Sequence, residues 1–526
     1  MFPRILPRWH CGQRLLDDVG PEKSCMALLT GSHPGGTTST TMGKGSNATE
    51  EVGLPRLDPS AHVHLMGICG TGMASLAGMF HERGFLVTGS DESVYPPMSD
   101  FLKELGIEVK EGYHASNLNP RPDLVVVGNV IRRTNPEAIA LEQSSIRFTT
   151  MPAALTHYFA HDKVRVVVAG THGKTTVSSM IAWILHHEGL DPSFMIGGLP
   201  QNFGANYRLG QGRHFVIEGD EYDTAYFEKT PKMLHYRPHA GVITSCEFDH
   251  ADIYESLDAI KDQFRAFAGL IPADGFLAAC WDDRNVRQVL DPQPARLETY
   301  GLGDSAKWSV ANVGESVEEI SAEIRRYGRT LGLMALPLTG VHNLLNGLAA
   351  IVVTSNLGVD PEKAAAALAS FRGVKRRQEI LYDESGIILM DDFAHHPTAV
   401  KVTCEGVRSR YRDRRVVAVF EPRSNTSRRA VFQSDYVPVF RSADLILLRE
   451  PRGVYGIPPQ DRFSSARLAQ DLKKTGKNAL SFDTTDEIIE FLLEELHYGD
   501  IVLVMSNGSF DNLNARVVAA LKERWR

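Results

Sequence analysis

Apolar residues along this chain fall into short continuous runs, separated by stretches in which they recur every three or four positions. The runs at 62–66, 124–128, 164–169, 214–218, 240–244, 386–390, 416–421, 445–448 and 500–505 have the length and composition of strands buried on both faces. Between them, 73–83, 136–143, 177–187, 256–268 and 340–355 carry helical periodicity. Gly84 closes the first of these helices, and 85–89 returns as a strand ending in Ser90-Asp91, completing a βαβ unit. Strands alternating with helices predict an α/β protein built on parallel, doubly wound sheets. The segment 371–377 breaks the pattern and reads as a hinge. The expected organisation is an extension over 1–58, then domains over 59–162, 163–372 and 373–526.

Composition agrees with that division. A chain of 526 residues holds about three domains at roughly 150 residues each. With 43% hydrophobic and 23% charged residues it has an ordinary globular balance. A formal charge of −8 argues against a nucleic-acid partner. Cys11, Cys25, Cys69, Cys246, Cys280 and Cys404 form no C-x-x-C pair, as expected of a reducing cytoplasm rather than a disulfide or zinc scaffold. No apolar run approaches the length of a membrane span. Residues 1–58 are rich in Gly, Ser, Thr and Pro without periodicity, which predicts disorder. Arg4, Arg8 and Arg14 are followed by Asp17, Asp18 and Glu22 and by no apolar leader core, so this stretch reads as a dispensable extension with Met42 as a candidate start.

Chemistry concentrates at strand ends. Gly170-Thr171-His172-Gly173-Lys174-Thr175-Thr176 joins an apolar strand to a helix, the setting of a phosphate-binding loop. Its glycines let backbone amides approach an anion, Lys174 reaches the terminal phosphates, and the Thr175 hydroxyl holds Mg²⁺. Val168 stands where the common loop has its first glycine, so this is a shortened variant. Earlier, Gly67-x-x-Gly70-Thr71-Gly72 precedes a helix with Ser90 and Asp91 about the usual distance downstream. That spacing is not G-x-G-x-x-G and suits a nucleotide diphosphate other than NAD.

Glu218-Gly219-Asp220-Glu221-Tyr222-Asp223 and Glu247-Phe248-Asp249-His250-Ala251-Asp252 each close a strand. Carboxylates so crowded repel one another unless cations sit among them, so a site for ATP with two Mg²⁺ is expected. Asp391-Asp392-Phe393-Ala394-His395-His396-Pro397 closes a strand of the third domain. Its adjacent histidines point opposite ways on an extended chain, which argues against joint ligation. Arg376 and Arg377 at the hinge are placed to neutralise phosphoryl charge as domains close.

Taken together, these motifs, with Gly340-Val341-His342-Asn343 and Asn346, resemble the Mur ligases in identity and order over about residues 62–510. The resemblance implies a UDP-sugar domain, a central ATPase domain and a C-terminal domain that brings the amino substrate. Within the family, Gly67-Ile68-Cys69-Gly70-Thr71, Val94-Tyr95-Pro96-Pro97-Met98-Ser99, Glu421-Pro422-Arg423-Ser424-Asn425-Thr426 and Met505-Ser506-Asn507-Gly508 resemble a member of a particular specificity. That member joins UDP-N-acetylmuramate to the tripeptide L-alanyl-γ-D-glutamyl-meso-diaminopimelate in cytoplasmic peptidoglycan recycling in bacteria. The alternative inside the family is addition of L-alanine, whose enzymes typically carry a histidine-containing segment in place of 421–426; a folate-glutamylating relative is a third.

The implied roles follow the matching positions. Lys174, Glu218, His250 and Arg377 are catalytic; Thr175, Glu218 and His250 hold Mg²⁺. Gly170 to Thr176, His342, Asn343, Asn346, Asp392 and His395 bind ATP. Gly67, Gly70, Thr71, Gly72, Ser90 and Asp91 bind the UDP-sugar, and Glu421, Arg423 and Asn425 the peptide. An NAD-dependent oxidoreductase would explain the first βαβ unit but leaves the Gly-Lys-Thr loop and both acidic edges unused.

Overall fold

The structure is a computed structural model that describes residues 53–94, 98–291 and 296–524. Arg4, Arg8, Arg14 and Met42 lie outside the described residues. The expectation that the extension runs to residue 58 is corrected: Leu54 is buried in the first core, and the Tyr158 hydroxyl donates to the Pro55 carbonyl at 3.0 Å.

The first sheet is parallel throughout and contains β1 (His62–Met66), β2 (Leu86–Asp91), β3 (Glu108–Glu111), β4 (Leu124–Val127) and β5 (Phe148–Thr150) in the order β3-β2-β1-β4-β5. The second begins with β6 (Val164–Ala169), β7 (Ser193–Met195), β8 (Tyr207–Arg208) and β9 (His214–Glu218). A separate hairpin, β10 (Asp223–Ala225) and β11 (Glu228–Pro231), follows. β12 (Ala240–Ile243), β13 (Phe276–Cys280), β14 (Leu297–Gly301), β15 (Trp308–Glu315), β16 (Ile320–Arg326) and β17 (Arg329–Leu336) then complete a ten-stranded sheet ordered β17-β16-β15-β14-β13-β12-β6-β9-β7-β8. The third contains β18 (Glu379–Glu384), β19 (Ile387–Asp392), β20 (Val416–Phe420), β21 (Leu445–Arg449), β22 (Asn478–Phe482) and β23 (Ile501–Met505), ordered β18-β19-β23-β20-β21-β22 and antiparallel only at β18.

Sequence periodicity passed over β15 to β17. Their signal is alternation: Ile320, Ala322 and Ile324 are fully buried, with less buried residues between them. Tyr327 and Gly328, both at positive φ, form the two-residue turn joining β16 to β17.

Three strands each lie beside a neighbour distant in chain order, the setting in which strand C-termini line a crevice. β1 lies between β2 and β4, β6 between β9 and β12, and β23 between β19 and β20. The β6 register pairs Val168 with Glu218 and Ala169 with Ile243. The loop after β6 is therefore flanked on one side by the acidic end of β9 and on the other by the segment leaving β12.

Candidate active site

The helix after β6 begins at Lys174, three residues earlier than its apolar periodicity starts, because Gly173 at φ +81° turns the chain directly into it. No side chain caps this end, so its first-turn amides face outward as an anion site. Both loop glycines are required by space: a Cβ on Gly170 would lie 2.9 Å from the Ser245 amide nitrogen, and one on Gly173 2.7 Å from Asn346 Oδ1. The segment after β12 braces the loop, with the Thr171 amide donating to the Ser245 carbonyl and the His172 amide to Ser245 Oγ.

The four crowded carboxylates after β9 have separate partners. Glu218 accepts from the Thr175 hydroxyl at 2.8 Å and from the Gly197 amide at 2.7 Å. Asp220 pairs with Lys232 and Asp223 with Lys229. Glu221, only 3% exposed, takes Lys174 Nζ at 2.6 Å on one oxygen and His250 Nε2 at 3.1 Å on the other. The expected repulsion is thus relieved by the protein's own cations. Burial alone would lower the Lys174 pKa, but Glu221 and Asp220 carry it above its ordinary value. Burial raises Glu218 despite Lys174 beside it. His250 is also raised, since Glu221 outweighs the effect of burial.

Of the expected metal set, the structure brings Thr175 and Glu218 into contact, an all-oxygen pair of the kind Mg²⁺ prefers. The third member, His250, stands apart from that pair and is held by Glu221, a residue outside the expected site that links it to Lys174. The acidic cluster contained that signal, but nothing local distinguishes Glu221 from its neighbours.

The third domain closes over this edge. His396 Nε2 donates to the Phe248 carbonyl at 3.1 Å, and the Ala251 amide to Thr426 Oγ1 at 3.1 Å. His395 stands 4.0 Å from Asp249. The hinge arginines diverge. Arg376 is tied to Asp391 and to the carbonyls of Ser506 and Gly508. Arg377 lies over the Phe393 ring, and its guanidinium makes no hydrogen bond or ion pair among the described residues. Burial lowers its pKa while the charges of Asp392 and Glu218 oppose the shift. Asp392 itself accepts the Gln378 and Ala394 amides. His342, Asn343 and Asn346 lie at the start of helix Val341–Asn356, with Asn346 against Gly173, and burial pushes His342 down to about 4. These groups share a cleft of about 1600 Å³ that also reaches Thr71 and Gly72.

Several expected contacts are engaged elsewhere. Ser90 is fully buried and donates to Glu137, so its side chain is corrected to a core role. Asp91 accepts the Cys69 and Ser93 amides and holds the loop rather than presenting a free carboxylate; Gly67, at φ +79°, makes that turn, with Gly70 inside it. Glu421, expected at the peptide, is buried and accepts the Ser506 hydroxyl at 2.6 Å within the third domain. Asn425 joins Asp252 of the central domain to Arg428. Arg423 alone of the three makes no hydrogen bond or ion pair among the described residues, and it packs over Gly508.

Such a phosphate loop, an acidic edge and an arginine with no hydrogen bond or ion pair among the described residues define a nucleotide-phosphate site of a multidomain α/β enzyme. The chain belongs to the Mur ligase family: residues 62–163 match its catalytic domain, 168–354 its middle domain and 376–508 its glutamate ligase domain. It is therefore an ATP-dependent enzyme that forms amide bonds. It is 37% identical to the UDP-N-acetylmuramate–L-alanyl-γ-D-glutamyl-meso-2,6-diaminoheptandioate ligase of Escherichia coli K12, covering 88% of this chain and 98% of the relative. Identity to the UDP-N-acetylmuramate–L-alanine ligase of Carboxydothermus hydrogenoformans is 34%, over 87% and 96%. Among solved structures, a murein peptide ligase from Psychrobacter arcticus superposes with TM-score 0.66 at 33% identity, covering 88% and 99%.

Proposed function

We propose that this chain joins UDP-N-acetylmuramate to L-alanyl-γ-D-glutamyl-meso-diaminopimelate, at the expense of ATP, in cytoplasmic peptidoglycan recycling. A carboxylate does not acylate an amine directly, because proton transfer between them is faster and hydroxide is a poor leaving group. In the proposed sequence the lactyl carboxylate oxygen attacks the γ-phosphorus of ATP and ADP departs. The alanyl amine nitrogen then attacks the acyl carbon, loses its proton, and the C–O bond to phosphate breaks. Positioning and charge neutralisation carry such a transfer.

The choice of tripeptide rests on the 37% identity to the Escherichia coli ligase, and the phosphoryl-transfer chemistry on the convergence in one cleft of Lys174, the Thr175–Glu218 contact and the Arg377 guanidinium, which has no hydrogen bond or ion pair among the described residues. Lys174 would exchange Glu221 for the phosphates, and Arg377 would neutralise the charge that develops on the transferred group. Thr175 and Glu218 would hold Mg²⁺, with His250 at a second position beside Glu221. The ion would screen phosphate charge against the attacking carboxylate. His342, Asn343 and Asn346 would line the adenine end, with Asp392 and His395 closing it. Gly67, Gly70, Thr71 and Gly72 would present backbone to the UDP diphosphate. Arg423 would grip a peptide carboxylate through two parallel hydrogen bonds.

ATP turnover and product mass, measured with UDP-N-acetylmuramate plus either the tripeptide or free L-alanine, test this proposal. The expected preference for tripeptide is at least about 100-fold in kcat/KM, equivalent to about 2.7 kcal/mol. Preference for L-alanine would replace it with the amino-acid-adding activity.

A further inference from the structure

The reaction above leaves the side chains of Glu247 and His396 without a role. They meet the side chain of His172 where the central and third domains touch. His172 belongs to the loop after β6, Glu247 follows β12, and His396 precedes helix Pro397–Arg410. One donor atom from each lies within 4.8 Å of the other two. His172 Nε2 is 3.2 Å and His396 Nδ1 3.5 Å from the same Glu247 oxygen, Oε2. A tetrahedral zinc site with bonds of about 2.0–2.1 Å has edges of about 3.3 Å between ligand atoms. Two of the three edges thus already stand near ligand spacing.

The surrounding hydrogen bonds prepare these atoms for a cation. His396 Nε2 faces the Phe248 carbonyl, which only accepts, so this nitrogen carries the ring proton and Nδ1 presents its lone pair. Metal-binding histidines are oriented in this way, with the far N–H given to a carbonyl. That lone pair faces the Glu247 carboxylate at 3.5 Å, with the Thr398 amide 3.3 Å from Nδ1. The Thr398 hydroxyl orients the same carboxylate, donating to Oε2 at 2.6 Å. His172 and Glu247 are about a quarter and a third exposed and line the cleft, which supplies an entry path.

We propose that His172, Glu247 and His396 form a binding site for a divalent transition metal of the zinc class, separate from the Mg²⁺ position at Thr175 and Glu218, that pins the phosphate loop to the third domain. Two imidazoles and one carboxylate favour zinc, cobalt or nickel over Mg²⁺. The site uses His172 as its Nδ1–H tautomer, which frees Nε2 for the ion. Ligands from two domains make a bound ion oppose their separation, so occupancy slows substrate entry and product release.

Cobalt(II) titrated into the full chain, with excess Mg²⁺ and no nucleotide, reads the site directly. One equivalent is expected to bind with a visible d–d band that one equivalent of zinc displaces. His172→Asn and His396→Asn, in different domains, should each weaken binding at least about 100-fold. His250→Asn and the surface variant His187→Asn should retain the band. Zinc should raise the unfolding midpoint of the parent chain but not that of Glu247→Gln, an independent check if a histidine variant folds poorly. No stoichiometric cobalt binding, a band that survives both ligand variants, or one lost in His250→Asn but kept in His396→Asn would overturn the site. None of these outcomes depends on which substrates the enzyme joins.

Discussion

Two strand–loop–helix units stand at the switch points of neighbouring sheets, one after β1 and one after β6. Around the first, polar side chains are turned inward and satisfy each other. Glu137, fully buried, accepts from His64 Nε2 at 2.8 Å, Ser90 Oγ at 3.1 Å and Asn117 Nδ2 at 2.8 Å, while Asp91 accepts two amides near its own loop. Around the second, polar and charged groups face the cleft: Lys174 pairs with Glu221, Thr175 with Glu218, and the Arg377 guanidinium makes no hydrogen bond among the described residues. The first loop can offer a ligand mainly backbone and shape. The second can offer charge, because its internal pairs can be replaced by pairs with phosphate and metal. The contrast fits a division between holding a substrate and performing phosphoryl transfer.

The strongest way to break this comparison is Lys174→Ala. Product formation should fall about 10³-fold or more, as for loss of a group that neutralises a transferring phosphoryl. Glu221 would be left buried without its cation, so urea unfolding should report a loss of about 3–5 kcal/mol. Glu221→Gln in the same chain should restore much of that stability and none of the activity. Near-normal turnover in Lys174→Ala would end the claim that the second loop stores charge for catalysis.

The complementary change is Glu137→Ala beneath the first loop. It orphans three buried donors and should cost about 3 kcal/mol by urea unfolding, with ligation in the cold close to that of the parent chain. A turnover defect as deep as that of Lys174→Ala would show that the first loop also takes part in the chemistry. The smallest effect is expected of Ser90→Ala, about 1 kcal/mol of stability and an unchanged KM for the UDP-sugar. A steep rise in that KM, with stability intact, would restore Ser90 as a ligand contact.

The structure also shows which features were legible in the residues and which were not. The strand–loop–helix after β6 was legible because an apolar run, two glycines and a helical period constrain the backbone locally. Ser90 and Glu421 were hard to read for a common reason. Both leave strands at a crevice, where position suggests a ligand, but each meets a buried partner from far along the chain, Glu137 and Ser506 respectively. β15 to β17 were overlooked although their alternation lay in view, since a search for continuous runs finds parallel strands and passes over a meander with one wetter face.

By itself the sequence determined the order of strands and helices, where glycine must permit a turn, and which carboxylates and cations would gather at strand ends, because these depend on neighbours a few bonds away. Only the tertiary structure decided the pairings: Lys174 with Glu221 rather than Glu218, Arg376 bound into the third domain while Arg377 is left for the cleft, and His396 brought to Glu247 across 149 positions. Hydrogen bonds and ion pairs act over a few ångströms, so partners are chosen by strand order and domain closure, which no local pattern encodes.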